Sequence, residues 1–186
     1  MKFSISREAL LDPLQLVSGV VERKQTLAIL SNLLMEVEDG VLTMTGTDQE
    51  VELSVKVAEI QSATSGEITV PARKLVDICR SLTGKADITL ALEENRLGVS
   101  SGRFRSHLAT QPSIDFPNAE MESAEVKLEI EAALLLSLLG KTSFAMAQQD
   151  VRYFFNGVLI ELSAEGIRLV ATNGQRLATS IGRLPE

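Results

Sequence analysis

A chain of 186 residues, 45% of them apolar, has the material for a packed core, and no stretch approaches 18 uncharged apolar residues, which argues against a membrane-spanning helix. The formal charge of −7 disfavours a partner that needs a uniformly basic surface, and the single cysteine excludes an internal disulfide and fits a reducing cytoplasm. The opening MKFSISREALLDPLQ meets charge before any long apolar run, so it does not read as a secretory leader.

The first elements are a short strand around Phe3 to Ile5 and a helix whose apolar stripe is Leu10, Leu14, Val17 and Val21. Pro13 is expected to kink that helix or make it restart. Leu33, Met35 and Val37 alternate with polar neighbours, Asp39-Gly40 supplies a hairpin turn, and Leu42 and Met44 return. Val51, Leu53, Val55 and Val57 then alternate with Glu52, Ser54 and Lys56, the pattern of a strand with one buried face.

Gln61 to Glu67 reads as a small polar linker. Ile68 to Val70 is a strand, and Pro71 opens a helix with Leu75, Ile78, Cys79 and Leu82 on its apolar face. Arg73, Lys74, Asp77, Arg80 and Ser81 take the other face. Strands follow at Ile88 to Leu92 and Leu97 to Val99, turning at Glu94-Asn95, with a last strand through Phe104 and Leu108. Residues 111–125 hold two prolines, several acids and no periodicity, and mark a boundary. The order then starts again: a strand at Val126, Leu128 and Ile130, and a helix with Leu135, Leu138 and Leu139. Val158, Ile160 and Leu162 lead to a turn at Ala164 to Gly166, Ile167 and Leu169 return, and Leu177, Thr179 and Ile181 close the unit.

Strand–helix–strand–strand–strand thus occurs three times at a period of roughly 60 residues. Asn32-Leu33-Leu34 echoes Asn156-Gly157-Val158, and Thr47-Asp48 echoes Thr172-Asn173. Charge is segregated across the repeats. Arg73, Lys74, Arg80 and Lys85 stand close together against Asp77 alone, whereas residues 36–59 carry acids with only Lys56 among them. An acidic protein can hold one basic surface while the remainder repels DNA.

No set of side chains assembles into catalytic chemistry. Gly140-Lys141-Thr142 resembles the end of a phosphate loop, but Leu135 stands where the motif needs its first glycine, so a helix ending at Gly140 is the simpler reading. His107 has no second histidine and Cys79 lies on an apolar face, which leaves no metal site and no nucleophile–base pair. Two segments ask for a functional explanation. In Gln148 to Gly157, three consecutive aromatics cannot all point inward on a pleated strand, so at least one is exposed. Ala171 to Leu177 is a tight glycine turn carrying Arg176 beside Leu177.

These segments carry a resemblance. DVRYFFNG resembles the DVRYYLNG of the bacterial DNA sliding clamp family, the beta subunit of DNA polymerase III, and ATNGQRLA resembles its ATDGHRLA. MKFSISREALLDPLQLVSGVV, LSNLLMEVEDG, TGTDQEVEL, ITVPARKLVDICRSL, SGRFR and DFPN resemble clamp segments in the family's order. The resemblance implies an α+β DNA clamp fold of repeated β-α-β-β-β units, two per domain, with helices on one face of antiparallel sheets. Residues 1–120 would be the first domain (units of about 1–60 and 61–120) and 126–186 the first half of the second.

In function it implies a non-catalytic processivity subunit of the cytoplasm, without cofactor or metal. Such a subunit encircles double-stranded DNA non-specifically, as a homodimeric ring when full length, and tethers the replicative polymerase through peptides of polymerase and clamp loader. Lys24, Arg73, Gln149, Tyr153 and Phe154 match positions that face DNA. Arg152, Phe155, Thr172, Gly174, Gln175, Arg176 and Leu177 match the peptide pocket, and Lys74, Ile78, Arg96, Arg103, Phe104, Arg105 and Leu108 the subunit interface. Asn173, Gln175 and Phe155 depart from the family's Asp, His and Leu, and SGRFRSHLA from a pattern like SGRSRFSLS. With half of the second domain and the third absent, the chain reads as a fragment or a shortened gene product. Two other readings are a peptide-binding adaptor of clamp fold that does not encircle DNA, and an enzyme acting on nucleotides through Lys141 and Thr142.

Overall fold

Lys2–Ser6 forms strand β1, and Ser6 starts helix α1 (Arg7–Val17) by accepting the Ala9 amide on its Oγ at 3.2 Å, a cap worth about 1 kcal/mol. The computed structural model describes residues 1–21, 27–117, 128–163 and 166–183. They divide into two units, Met1–Met121 and Glu122–Glu186.

In the first unit α1 runs through Pro13 undivided, so the expected restart is not found. Pro13 removes one donor, that to the Ala9 carbonyl, while Leu10, Leu14 and Val17 keep the helix on the core. Beyond the first 3-10 turn, strands β2 (Asn32–Glu38) and β3 (Val41–Thr47) form a hairpin around Asp39 and Gly40, whose φ angles of 49° and 78° suit a tight turn. Strand β4 (Glu52–Val57) follows. Val51 lies outside it and is exposed, because Asp48 Oδ1 accepts the amides of Glu50 and Val51 and holds that residue in the turn.

Gln61–Thr64 is not a linker but strand β5, which pairs antiparallel with β1. All four of its side chains are exposed. Backbone hydrogen bonds alone hold this edge strand, so no apolar alternation announces it. Strand β6 (Gly66–Pro71), helix α2 (Ala72–Ser81) and strands β7 (Asp87–Glu93), β8 (Arg96–Ser101) and β9 (Phe104–Ala109) complete the unit. Val76 joins Ala72, Leu75 and Cys79 on the buried side of α2, and Ile78 is only partly covered.

The strands form two sheets, ordered β5-β1-β7-β8-β9 and β4-β3-β2-β6. Each repeat therefore gives its first strand away. β1 joins β7 of the second repeat, and β6 joins β2 of the first. Both sheets and both helices share one core containing Phe3, Leu10, Met35, Leu75 and Leu90. Residues 111–117, expected in a boundary segment, fold back onto this unit: Gln111 bridges Thr69, and Phe116 is buried. The rest of that segment, with Val126, lies outside the described residues.

The second unit holds helix α3 (Ala132–Thr142) and a sheet of β10 (Leu159–Ser163), β11 (Gly166–Thr172) and β12 (Leu177–Gly182), in that order. Leu128 and Ile130 are not in a strand. In the first unit a first strand finds its partner in the sister repeat, and no sister sheet exists here among the described residues. The helix ends at Thr142, two residues beyond Gly140, where Thr142 Oγ1 donates to the Leu138 carbonyl at 2.9 Å. Gly140-Lys141-Thr142 is thus helical, with no loop of free amides to cradle a phosphate.

The inward face of β12 is Ala178, Ser180 and Gly182, while Leu177, Thr179 and Ile181 are exposed. The small residues admit the helix: a Cβ on Gly182 would stand 3.1 Å from Leu134 Cδ1 and from Leu138 Cδ1. Ile160 and Leu162 do point to the face of Leu169 and Ile167, yet remain 52% and 50% exposed. Their counterparts in the first unit, Met35 and Val37, are 0% and 3% exposed. Partial cover forgoes about 1 kcal/mol at each. The turn at Ala164-Glu165 lies outside the described residues.

Glu36 on β2 sits directly opposite Glu67 on β6. Burial, then Glu67, then Glu38 push its carboxyl above the ordinary 4.5. A carboxyl raised on folding favours the native state while protonated, and that contribution is lost as pH rises through the folded value. Glu36→Gln is therefore expected to raise the thermal midpoint at neutral pH and leave it unchanged well below pH 4.5, as thermal scans at both pH values will show.

Candidate functional site

The two segments singled out by sequence meet in the second unit. The turn from β11 to β12 is built by side-chain acceptors: Thr172 Oγ1 accepts the Gly174 amide at 3.1 Å, and Asn173 Oδ1 accepts the amides of Gln175 and Arg176 at 3.0 Å. The first unit makes the same turn after β3, where Thr47 accepts from Gln49 and Asp48 from Glu50 and Val51. Asn173 thus keeps the acceptor its position needs without a charge. Gly174 has φ +87°, a conformation in which a side chain costs roughly 1–2 kcal/mol.

Beside this turn, Tyr153–Asn156 is a 3-10 turn and not the start of a strand. Asn156 closes the loop, donating to the Asp150 carbonyl and accepting the Asp150 amide. The Ala147 amide donates to Phe155 O at 2.9 Å. With the backbone wound this way, Tyr153 and Phe154 are left 80% and 64% exposed, edge to face with centroids 6.0 Å apart. Phe155 is half-buried, with the Arg152 guanidinium 4.5 Å from its ring centre, a contact worth about 0.5–1 kcal/mol. Arg152 also grips Asp150 in a two-point fork, Nε to Oδ1 at 3.0 Å and Nη2 to Oδ2 at 2.8 Å. That hydrogen bonding holds the Asp150 carboxyl down at about 2.

The two segments border an open depression of about 500 Å³ lined by Phe144, Met146, Asp150, Arg152, Gln175 and Arg176, among others. Arg176 lies over Phe144 at 5.8 Å. Arg152, Phe155, Thr172, Gly174, Gln175 and Arg176 are thus brought together, Gly174 facing both Arg152 and Phe155. Leu177 stands outside the depression, on the outer sheet face beside Thr172. Sequence reasoning missed Phe144 and Met146. The signal for Phe144 is an aromatic just after the helix ends.

Of the residues matched to DNA contacts, Lys24 lies outside the described residues. Gln149, Tyr153 and Phe154 share the loop just described, with Gln149 at φ 55°. Arg73 belongs to the first unit, on the exposed face of α2 with Lys74, Asp77 and Arg80. Arg73 Nη2 donates to Val21 O, and Arg80 Nη2 to Gln15 Oε1 at 2.9 Å, so both are steadied against the α1 side. A groove of about 400 Å³ runs between these residues.

The residues matched to a subunit interface are also in the first unit. Lys74 and Ile78 lie one turn apart on α2. Arg96 is on β8, Arg103 in the following turn, and Phe104, Arg105 and Leu108 on β9, the last strand of its sheet. Arg105 folds back to donate to the Gly102 and Phe104 carbonyls at 2.8 Å. Leu108 is 5% exposed within the core, so little of it remains to meet another surface. His107 stands 3.6 Å from Glu93. Among the described residues no group of three His, Cys, Asp or Glu side chains is placed to hold a metal.

The family described as DNA polymerase III beta subunit, N-terminal domain, matches residues 1–120, and its central domain matches residues 129–185. This chain belongs to the DNA polymerase III beta subunit family. The beta sliding clamp of Pseudomonas putida is 53% identical over 178 residues, covering 96% of this chain and 48% of that protein. That of Escherichia coli K12 is 49% identical, covering 96% and 49%. The solved beta subunit of Pseudomonas aeruginosa superposes with a TM-score of 0.93 at 50% identity, over all of this chain and 51% of that one. Caulobacter crescentus pol III beta does so with a TM-score of 0.93 at 36% identity. The fold is therefore the clamp's α+β fold, and the chain spans about half the length of these relatives.

Because the Arg152 fork sets the Asp150 proton, an NMR titration of the Asp150 carboxyl is expected to give a midpoint at about 2. Arg152→Gln should return it toward the ordinary 3.8. An unchanged midpoint would show that the fork does not form in solution.

Proposed function

We propose that this chain is part of a DNA sliding clamp, a non-catalytic cytoplasmic subunit that encircles duplex DNA and tethers the replicative polymerase. The observation that carries this reading is the match of the chain, in order, to the N-terminal and central domains of the beta subunit family. On this reading residues 1–120 are the first clamp domain and 126–186 the first half of the second, with the ring completed as a homodimer at full length.

The charge distribution supports it. Arg73 and Arg80 stand exposed on α2 in a protein of net charge −7. Cations on a helix face meet phosphate without reading base edges, which suits a sliding contact. Gln149, Tyr153 and Phe154 would add an amide and two aromatic faces to that contact, and Lys24 a further cation. The depression beside Arg152, Phe155, Thr172, Gly174, Gln175, Arg176 and Leu177 would take extended peptides from polymerase and clamp loader. Guanidinium groups there hold a peptide carboxylate or carbonyl, and the aromatic walls take an apolar side chain. Lys74, Ile78, Arg96, Arg103, Phe104 and Arg105 would meet the second subunit along the β9 edge. Leu108 would support that surface from within.

Two measurements test the reading. Binding of the 186-residue chain to duplex DNA is expected to be weak, equal for unrelated sequences and steeply reduced by salt, and Arg73→Ala should lower the logarithmic salt slope by about 1. Tight, sequence-selective, salt-insensitive binding would refute it. In a protein of full clamp length, Arg176→Ala with Leu177→Ala should weaken a polymerase-tail peptide at least about tenfold by calorimetry, roughly 1.4 kcal/mol. Sedimentation should show dimerisation unaltered. Unchanged peptide affinity would remove the pocket assignment and leave the family membership.

A further inference from the structure

Arg73 and Arg80 stand about two turns apart on α2, roughly 10 Å along the helix, with Asp77 between them. Asp77 follows Arg73 and precedes Arg80 at the spacings where helical side chains meet and unlike charges pair. Neither pair forms: among the described residues Asp77 makes no ion pair. Both guanidinium groups turn to the α1 side instead, Arg73 Nη2 donating to Val21 O at 3.3 Å and Arg80 Nη2 to Gln15 Oε1 at 2.9 Å. These acceptors are neutral. Each arginine is therefore held in place while its whole charge and its other N–H groups stay available to an anion. A guanidinium cannot accept a hydrogen bond, so Gln15 must offer it the oxygen, and the NH2 end of the same amide is left as a further donor. Gln15, Arg73, Asp77 and Arg80 line one open groove of about 400 Å³.

We propose that Arg80, set by Gln15, is a further contact for a backbone phosphate of duplex DNA. The inference rests on the reading of α2 as a DNA-facing helix and adds a residue pair to it. Arg80 meets the phosphate, and Gln15 is a positioning residue whose neutrality matters. A glutamate at position 15 would accept the same hydrogen bond but neutralise Arg80, leaving little charge with which to displace counterions from DNA. Asp77 lines the groove between the two cations and repels a phosphate, so the contacts lie at the two ends of the groove, one at each arginine. Point contacts of this kind hold the backbone without reading a base.

The logarithmic salt slope of duplex binding counts the phosphates neutralised, so it separates a DNA contact from a mere strut between two helices. For the 186-residue chain, titrated by fluorescence anisotropy from roughly 20 to 200 mM salt, Arg80→Gln is expected to lower that slope by about 1, and Arg80→Lys to keep it. Gln15→Glu should lower it by about 1 as well, with no fall in the thermal midpoint because the bond to Arg80 is retained. Lys56→Gln removes an equal charge from the exposed side of β4 and should leave the slope unchanged. If Arg73→Ala lowers the slope and Arg80→Gln does not, this proposal is overturned and the DNA-facing reading stands. An equal fall in Lys56→Gln also overturns it, because net charge and not a site would then set the slope. A parent chain that binds no duplex at the lowest salt removes both. Should Arg80→Gln lose thermal stability, Gln15→Glu decides: an unchanged slope at an unchanged midpoint overturns the proposal.

Discussion

A strand edge with unpaired N–H and C=O groups must find a partner, and in the first unit each first strand finds it in the sister repeat. The exchange of β1 and β6 makes the first unit one body: neither sheet is complete without a strand from the other repeat, so the two halves share a single core. Asn32 shows the consequence at one side chain. Its amide donates to Thr69 Oγ1 on the exchanged strand β6 at 3.0 Å and to Gln111 Oε1, buried polar groups satisfied only because the sister strand is there. Asn156, its echo, has no such strand beside it among the described residues and bonds to Asp150 instead. One residue type in one repeat position thus serves the core in one unit and a surface loop in the other.

The site in the second unit does not depend on cover for the outer edge of β10. Its two halves are closed locally, the β11–β12 turn by Thr172 and Asn173 and the aromatic loop by Asp150 and Asn156. Local closure explains how a repeat with an incompletely covered sheet still presents a defined constellation. In this turn Gly174 stands where the first unit carries Gln49 at φ 78°. A side chain is carried in the earlier turn, and in the later one Arg152 and Phe155 lie about a contact distance, 3.6 Å, from where a Cβ would stand.

Charge follows the layering of the first unit. Glu36 and Glu67 confront each other across strands β2 and β6, while α2 exposes Arg73, Lys74 and Arg80 with only Asp77 among them. At physiological salt fields fade within about 8 Å, so it is the local face and not the net charge that an approaching polyanion meets.

The sequence by itself determined the repeat, the helices and most strands, because apolar spacing is a property of the chain and the same spacing recurs three times. It also pointed to the site, since three adjacent aromatics and a Thr-Asn-Gly turn declare themselves locally. It missed β5, whose pairing is carried by backbone alone, and Phe144 and Met146, which become lining residues only when the end of α3 is set beside the turn. It took Leu128, Ile130 and the inner face of β10 for ordinary strand and core, because alternation reports which way a side chain points but not whether anything covers it. Tertiary structure decided that, through a contact whose partner lies in another repeat. Burial there depends on the sister strand's backbone hydrogen bonds and the apolar face it brings, neither of which is written in the segment that needs them.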